Sequence, residues 1–304
     1  MPRSIATATW SEHVVDSLAP SVAERLADSC SVLAVPAFAS AAECEALLSD
    51  ATAVAEQVRT GRVASERAGT LSATLACRLE QPSMPSCVPG RVRLPVAHCS
   101  AATQALCSRL LLRALDLVEG ALPDATDELF GSGFVAALHT SAEPLGATCS
   151  RLNLTHNEPA INVYGVGGEF SPHKDLQSLT VLVPLVGAVE AYDGGGTAFW
   201  PRRLPAAEAS EVAPTLVLRP PAGTALLFGG ELTHAGLPVT AGHRAVFVAS
   251  FSRKCATDAC GGGEHTLAGH GGGAAKTAPS MEEEHGARRG LEQALLEQLY
   301  GPAG

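Results

Sequence analysis

The chain is poor in charged and aromatic residues. Of its 304 residues, 17% are charged and 4% are aromatic, and Asp and Glu outnumber Lys and Arg by 31 to 21. A nucleic-acid surface needs clustered Lys and Arg to neutralise phosphates, so a net charge of -10 argues against nucleic acid as a partner. Hydrophobic residues make up 46% of the chain, which is enough for a substantial buried core.

Long apolar runs are also missing. No stretch approaches the roughly 18 consecutive apolar residues that a membrane span requires, and the first residues lack the apolar segment of a secretory signal. The nine cysteines are an odd number and are scattered along the chain, which is typical of reduced thiols in an intracellular protein. We therefore expect no membrane partner, and the cytoplasm is the favoured compartment.

Residues 158–254 differ in pattern from the rest of the chain. They break into short β-rich runs separated by Gly, Pro and Asp, a pattern typical of a β-sandwich or barrel. No helical segment between these runs is long enough for a parallel crossover, which argues against a dinucleotide-binding fold. Residues 1–157 are predicted to form a helical and irregular region that packs on this β core.

Two helices are predicted within that N-terminal region. The first begins near Ser40, after a short strand over Val32 to Val35, and the second is marked by leucines at helical spacing and ends near Gly120. Residues 60–100 lack a clear period and are predicted to be irregular.

The last fifty residues carry weaker signals. We predict a Gly-rich flexible segment over residues 255–278 and a helix over 279–304, started by a capping box. Whether the flexible segment binds a metal is left open. Its spacing matches no common zinc motif, although four residues offer nitrogen or sulfur ligands: Cys255, Cys260, His265 and His270.

The stretch GGEFSPHKDLQSLT, from Gly167 to Thr180, holds an imidazole and a carboxylate two positions apart. In a strand, side chains at i and i+2 share one face, so His173 and Asp175 are predicted to point the same way. Such a pair by itself is a weak signal and more often faces solvent. His234 strengthens it, because two histidines and one carboxylate form the ligand set of non-haem Fe(II) sites with open coordination positions.

Arg244 follows His234 by ten positions, in apolar strand sequence. A buried guanidinium requires an anionic partner, and its planar fork fits a carboxylate. Two alternatives remain open: an arginine that reaches the strand end, or one that pairs with a protein carboxylate. Between the two histidines, the stretch AYDGGGTAFWP predicts a tight glycine turn that leads into a strand.

In order and spacing, these motifs resemble the prolyl 4-hydroxylase-like branch of the Fe(II)/2-oxoglutarate dioxygenases. The resemblance covers about Val32 to Lys254 and is carried by Tyr164, Gly167, His173-Lys174-Asp175, Gly194 to Phe199, His234 and Arg244. It implies a fold class that is mainly β with flanking helices (α+β). Its core would be a double-stranded β-helix, or jelly roll, packed against N-terminal helices.

The resemblance also implies a set of ligands. Fe(II) would be held by His173, Asp175 and His234, with 2-oxoglutarate and O2 as co-substrates and ascorbate as reductant. The far carboxylate of 2-oxoglutarate would bind Arg244.

Two further residues are predicted as co-substrate contacts. Tyr164 is one, and Thr180 is the other if the turn after Asp175 breaks strict alternation. The tyrosine that some relatives carry late in the following strand is missing here, since that region reads Val183-Pro184-Leu185.

The implied activity is hydroxylation of an unactivated C–H bond, coupled to decarboxylation of 2-oxoglutarate to succinate and CO2. Peptidyl proline is the leading substrate, and a free amino acid or another small molecule is the alternative. A non-catalytic jelly-roll scaffold is a second hypothesis, against which the intact triad argues. A third is a cupin-like metal enzyme without a keto acid, which has no need of Arg244. The oligomeric state is not predicted.

Overall fold

The computed structural model describes residues 9–16, 19–63, 66–67, 84–140, 151–187 and 191–254. All of them lie in one unit of the chain, Met1–Ala256. No helix in these ranges is long and apolar enough to cross a membrane. The helices of the described residues are α1 (Val22–Ala27), α2 (Ala41–Arg59), α3 (Ala101–Ala121), α4 (Pro123–Phe130), α5 (Phe134–Thr140) and α6 (Ala206–Ala209), with a 3-10 turn at Val96–His98.

Short strands make up most of the remaining described structure. In chain order they are β1 (Ser11–Val14), β2 (Ser31–Val35), β3 (Glu66–Arg67), β4 (Ser86–Val88), β5 (Arg91–Pro95), β6 (Leu152–Leu154), β7 (Ala160–Tyr164), β8 (Phe170–His173), β9 (Leu179–Pro184), β10 (Tyr192–Gly194), β11 (Thr197–Trp200), β12 (Leu216–Leu218), β13 (Ala225–Phe228), β14 (Thr233–Gly236), β15 (Val239–Gly242) and β16 (Arg244–Arg253).

The strands form two main sheets and a small ribbon. The larger sheet has the order β1-β2-β13-β9-β16-β7-β5-β4-β3, with β6 also paired to β16. The smaller sheet has the order β12-β11-β14-β8, and β10 pairs with β15. All pairings are antiparallel except that of β3 with β4.

From β7 onward the chain alternates between the two main sheets. Strands β7, β9, β13 and β16 belong to the larger sheet, and β8, β11, β12 and β14 belong to the smaller one. This alternation of antiparallel strands is the topology of a double-stranded β-helix. The predicted fold class is confirmed.

The larger sheet is buried on both faces, which explains the continuous apolar sequence of its central strands. In β9, Val181 and Val183 pack in the cluster that includes Leu47 and Leu110 of the helices. The residue between them, Leu182, packs in a second cluster with residues of the smaller sheet such as Phe199. Each fully buried side chain of this size contributes about 1.5–3 kcal/mol relative to exposure.

Helix α2 begins as the sequence predicts. The Ser40 hydroxyl accepts from the Glu43 N–H, and the Glu43 carboxylate accepts from the Ser40 N–H, which forms a capping box. Arg113 of α3 donates to the same carboxylate at 2.8 Å and so joins the two helices. Together α2 and α3 cover the outer face of the larger sheet.

Residues 84–100 are a correction to the sequence analysis, which predicted an irregular segment over residues 60–100. They contain β4 and β5, and β5 pairs with β7 from Arg91↔Tyr164 to Pro95↔Ala160. Val92 and Leu94 are buried in the core shared with the helices. The intervening Arg91 and Arg93 face the other side, because side chains alternate along a strand. Polar and apolar residues that alternate over about four to eight positions are typical of a half-buried strand, so Arg91 to Leu94 carry a signal that the prediction overlooked.

Candidate metal centre

Three side chains converge between the two sheets. His173 is the last residue of β8 and lies opposite His234 of β14 in the strand register. Nε2 of His173 is 3.6 Å from Oδ1 of Asp175, and Nε2 of His234 is 3.5 Å from Oδ2 of the same carboxylate. One potential ligand atom from each residue lies within 4.8 Å of the other two. The three residues that the sequence predicts as ligands are therefore brought together.

Asp175 reaches this position in a different way from the one expected. The sequence places it in the same strand as His173, but β8 ends at His173. Asp175 lies in the turn that follows, where its N–H donates to the carbonyl of Gly230 at 3.0 Å. The turn, rather than strand alternation, directs the carboxylate towards the two imidazoles.

The backbone fixes both imidazole rings. Nδ1 of His173 lies 2.8 Å from the carbonyl of Ser171, and Nδ1 of His234 lies 3.0 Å from that of Leu232. A carbonyl only accepts, so Nδ1–H donates in each case and a neutral ring presents the Nε2 lone pair to the centre. Burial, assisted by the neighbouring His234, lowers the pKa of His173 to about 4. Such rings are arranged as metal ligands.

The Asp175 carboxylate is positioned by a hydrogen bond from the side chain of Thr180. Thr180 Oγ1 donates to Asp175 Oδ2 at 2.6 Å. Burial by itself raises the pKa of Asp175, but the two histidines and the Thr180 hydroxyl together outweigh it, so the pKa is lowered. The carboxylate is therefore charged at neutral pH and can act as an oxygen ligand.

Thr180 lies where this bond requires, on the inner face of β9 and fully buried. The sequence predicts it as a contact to the co-substrate. In the structure its hydroxyl donates to the Asp175 carboxylate, and its contact to a co-substrate stays a prediction.

Aromatic rings hold the histidines from both sides. The Phe170 ring lies 4.5 Å from the His173 ring, and the Arg91 guanidinium lies over Phe170, 3.9 Å from the centre of its ring. Phe228 contacts His234 in a T-shaped arrangement, with 4.9 Å between ring centroids. The contact with Phe170 limits rotation of the His173 ring, which is the more exposed of the two imidazoles.

Arg244 lies in the same cavity and is 2% exposed. Its Nη2 donates to Thr197 Oγ1 at 2.9 Å, and its guanidinium carbon lies 5.2 Å from the centre of the Tyr164 ring. Among the described residues no carboxylate lies within ion-pair distance of it, and its Nε has no hydrogen-bond partner. A buried cation without a counter-ion is costly, so the pocket is suited to an anionic ligand.

The glycine turn predicted between the histidines is present. Gly194, Gly195 and Gly196 have φ values of +69°, +57° and +99°. A Cβ on Gly195 would lie 2.8 Å from the Tyr192 ring, so a side chain does not fit there. The turn leads directly into β11, whose first residue is the Thr197 that binds Arg244.

A cavity of about 240 Å³ joins the triad and Arg244. Its lining comprises Arg93, Thr155, His156, Glu158, Asn162, Tyr164, Phe170, His173, Lys174, Asp175, Leu182, Thr197, His234, Gly236, Arg244, Val246 and Val248. Tyr164 lines the cavity and stands opposite Arg244 in the register of β7 and β16. Its contact to a co-substrate stays a prediction.

Arg93 and Glu158 are cavity residues that the sequence analysis missed. Arg93 donates to Glu158 Oε1 at 2.6 Å, and the other carboxylate oxygen accepts from the Ser250 N–H. Burial raises the pKa of Glu158, and the nearby Arg93 acts in the opposite direction. The alternation of Arg91-Val92-Arg93-Leu94 is the only sequence signal for this wall of the cavity.

Other predictions concern residues beyond the site. The four potential zinc ligands of residues 255–278 and the predicted helix over 279–304 lie outside the described residues. His156, in the loop before β7, also lines the cavity.

No family model and no curated protein matches the sequence. Solved structures do resemble the fold. The chain is similar to the α-ketoglutarate-dependent epimerase SnoN of nogalamycin biosynthesis, with 16% identity, 76% of this chain and 82% of that chain covered, and a TM-score of 0.43. It is also similar to the viral collagen prolyl hydroxylase of Paramecium Bursaria Chlorella virus-1, with 13% identity, 76% and 99% coverage, and a TM-score of 0.41.

A third similar structure is the prolyl-4-hydroxylase of Pseudomonas putida. Its identity is 14%, the match covers 82% of this chain and 95% of that chain, and the TM-score is 0.37. Two of these three structures are prolyl hydroxylases, and the other is an α-ketoglutarate-dependent epimerase. The jelly-roll fold of this chain is assigned from its own strand order.

Proposed function

We propose that the protein is an Fe(II)- and 2-oxoglutarate-dependent dioxygenase that hydroxylates an unactivated C–H bond. The observation that carries the proposal is Arg244, a buried guanidinium without a carboxylate partner among the described residues, in one cavity with two histidines and an aspartate. The cavity thus combines a metal site with an anion site. It suits 2-oxoglutarate, which can chelate a metal at one end and carries a second carboxylate at the other.

The donor set fits Fe(II). Two imidazole nitrogens and one carboxylate are the facial triad of non-haem Fe(II) oxygenases, which leaves open coordination positions. A structural zinc site instead closes with four protein ligands, and no fourth Cys, His, Asp or Glu joins this group within the described part of the chain. When bound, the metal supplies oxidative chemistry with O2, in which 2-oxoglutarate is converted to succinate and CO2.

The chain itself binds and orients the co-substrate. Arg244 pairs with the distal carboxylate, and the Thr197 hydroxyl holds the guanidinium in place. The Tyr164 ring covers one side of Arg244 and keeps water from the ion pair. Leu182 and Val246 supply the apolar part of the lining, so the charges interact in a dry environment where they are stronger.

Peptidyl proline is the leading substrate in this proposal, and a free amino acid or another small molecule is the alternative. The support is the sequence resemblance to prolyl 4-hydroxylases. The substrate would enter on the side of the cavity lined by Arg93, Thr155 and His156, away from Arg244. Ascorbate is proposed as the reductant that keeps the metal as Fe(II).

The test is binding and turnover by the purified chain. With Mn(II) present as a metal that does not turn over, calorimetry should show 2-oxoglutarate binding that is lost in Arg244→Met and retained in Arg203→Met, which changes an arginine with 69% side-chain exposure. With Fe(II), ascorbate and O2, succinate should form and should be lost in His234→Ala.

The outcomes separate the alternatives. Metal binding without 2-oxoglutarate binding would favour a cupin-like enzyme, and binding of neither would favour a scaffold protein. If 2-oxoglutarate binds and succinate does not form without a substrate, adding proline-containing peptides or free proline in parallel distinguishes the two substrate classes.

A further inference from the structure

Leu176, the residue after Asp175, has an unusual backbone. Its φ is +58°, in the left-handed region that residues other than glycine rarely adopt. Its side chain is 68% exposed, so packing of that side chain does not explain the conformation. Strained backbone of this kind persists only where surrounding contacts enforce it, and it occurs often at functional sites.

The contacts that enforce it come from Gly230. The N–H groups of Asp175 and Leu176 both donate to the Gly230 carbonyl at 3.0 Å. In return, the Gly230 N–H donates to the carbonyl of Gln177 at 3.1 Å. The left-handed step at Leu176 turns the chain that follows these two N–H groups, so that the Gln177 carbonyl also faces Gly230.

Position 230 must be glycine for this contact to form. A Cβ there would lie 2.3 Å from the carbonyl oxygen of Gln177 and 2.6 Å from its nitrogen. Both are backbone atoms that cannot rotate away. Gly230 also lies in the turn between β13 and β14, just before the strand that carries His234. The turn that contains the ligand Asp175 is therefore hydrogen-bonded directly to the turn that precedes the ligand His234.

We propose that Leu176 and Gly230 are positioning residues, which form a backbone lock that sets Asp175 relative to His234 before the metal binds. The proposal deepens the proposed function, since it requires that the triad binds a metal. A site whose ligands are already ordered loses less conformational freedom on binding, and its affinity is correspondingly higher. Without the lock, the turn after β8 would have several conformations, and only some would direct the carboxylate to the imidazoles.

The experiment is a Co(II) titration of the full chain by calorimetry, compared with thermal unfolding of the same samples. Gly230→Ala is the test variant. Gly223→Ala is the matched control, because a Cβ at Gly223 would lie 2.2 Å from the Ala39 carbonyl, a similar backbone clash at the other end of β13. Both variants should unfold at lower temperature. Gly230→Ala should bind Co(II) about tenfold or more weakly, and Gly223→Ala should bind within about twofold of the unmodified protein.

A second pair of variants decides the question if Gly230→Ala does not fold. Leu176→Gly removes the exposed side chain but permits positive φ, and should keep the Co(II) affinity. Leu176→Ile has the same volume but is β-branched, so positive φ is strongly disfavoured, and its affinity should fall severalfold. Neither change removes a buried contact.

The results distinguish this inference from the proposed function. An unmodified protein that does not bind Co(II) would overturn both. If Gly230→Ala and Gly223→Ala bind Co(II) equally well, the lock alone is overturned. Equal Co(II) affinity of Leu176→Ile and Leu176→Gly would also overturn the lock and leave the proposed function standing.

Discussion

At the scale of single residues, the hydroxyl of Thr180 determines how the Asp175 carboxylate is presented. It is fully buried, and it donates a hydrogen bond of 2.6 Å to the oxygen that also faces His234. Groups that hydrogen-bond to metal ligands typically change metal affinity by about 10–100-fold when removed.

Thr180→Val should therefore weaken Co(II) binding by at least about tenfold, since the variant keeps the volume but cannot donate to Asp175. Calorimetric titration measures this directly. Thr180→Ser retains the hydroxyl and should bind nearly as tightly as the unmodified protein. Equal affinity of the valine and serine variants would show that the hydroxyl does not support the ligand.

Thr197 has the corresponding role for Arg244. In the protein without ligand, Thr197→Val leaves the buried guanidinium without the acceptor 2.9 Å away. The free energy of unfolding should fall by about 1–3 kcal/mol, the cost of an unsatisfied buried donor. Urea unfolding measures it, with Thr197→Ser as the control that keeps the hydroxyl. A valine variant as stable as the serine variant would contradict this role.

At the scale of elements, Glu43 and Arg113 join helix α2 to helix α3. The Arg113 guanidinium, opposed in part by burial, lowers the pKa of Glu43 to about 2. A carboxyl with a pKa depressed by folding stabilises the protein fully above its unfolded-state value of about 4.5, and this stabilisation is lost as the pH falls through about 2.

Glu43→Gln should therefore lower the unfolding temperature at pH 7, by an amount that corresponds to about 1 kcal/mol or less, because the pair is partly exposed. The difference from the unmodified protein should shrink as the pH falls from about 4.5 towards 2. Thermal unfolding across this pH range tests it. A difference that is independent of pH would contradict this role of the charged carboxylate.

Strand β5 is attached to the core by a buried pair as well as by its register. Glu158→Gln keeps an acceptor for the Ser250 N–H but leaves Arg93 without an anion. Leaving the largely buried Arg93 without its anion lowers the free energy of unfolding, although less than for a fully buried pair, because burial raises the pKa of Glu158 and so already disfavours its charged form. Urea unfolding should show this loss, and the double variant Arg93→Met/Glu158→Gln should recover part of it. A single variant within about 0.5 kcal/mol of the unmodified protein would mean that the pair is not needed.

At the scale of the whole molecule, the site lies between the two sheets, so its ligands converge only when the sheets are packed. A metal that binds only the folded state stabilises it by about 2.7 kcal/mol at 100 times its dissociation constant. For a chain of this size the unfolding temperature should rise by several degrees, at about 2–4 °C per kcal/mol.

Thermal unfolding with and without Co(II) checks this expectation. Adding a chelator should reverse the rise, and His234→Ala should show none, because one of the three ligands is absent. A rise of the same size in His234→Ala would place the stabilising ion elsewhere on the protein.

Much of the site could be predicted from the sequence because its chemistry is carried by residue types at fixed spacing. His173, Asp175, His234 and Arg244 stand out as polar residues in apolar β-rich sequence, and the glycines before Thr197 mark the intervening turn. The start of α2 was equally readable, since a capping box is a local pattern.

The wall of the cavity formed by β5 could be predicted only in part. Arg91 to Leu94 alternate as a half-buried strand does, but the partner strand β7 lies far along the chain, and no local pattern identifies that pairing. The pairing of Arg93 with Glu158 joins residues far apart in the chain, so no local pattern indicates it.

The sequence alone thus determined the order of the β-rich runs, the ligand types and the buried cation, because these follow from composition and short-range spacing. Only the tertiary structure decided that Asp175 projects from a turn, that Thr180 holds it, and that Leu176 is bound to Gly230. The bonds between Leu176 and Gly230 are backbone contacts between residues far apart in the chain, brought together by the pairing of β8 with β14. The bond from Thr180 to Asp175 spans only five positions, but it forms only because the intervening turn breaks strand alternation.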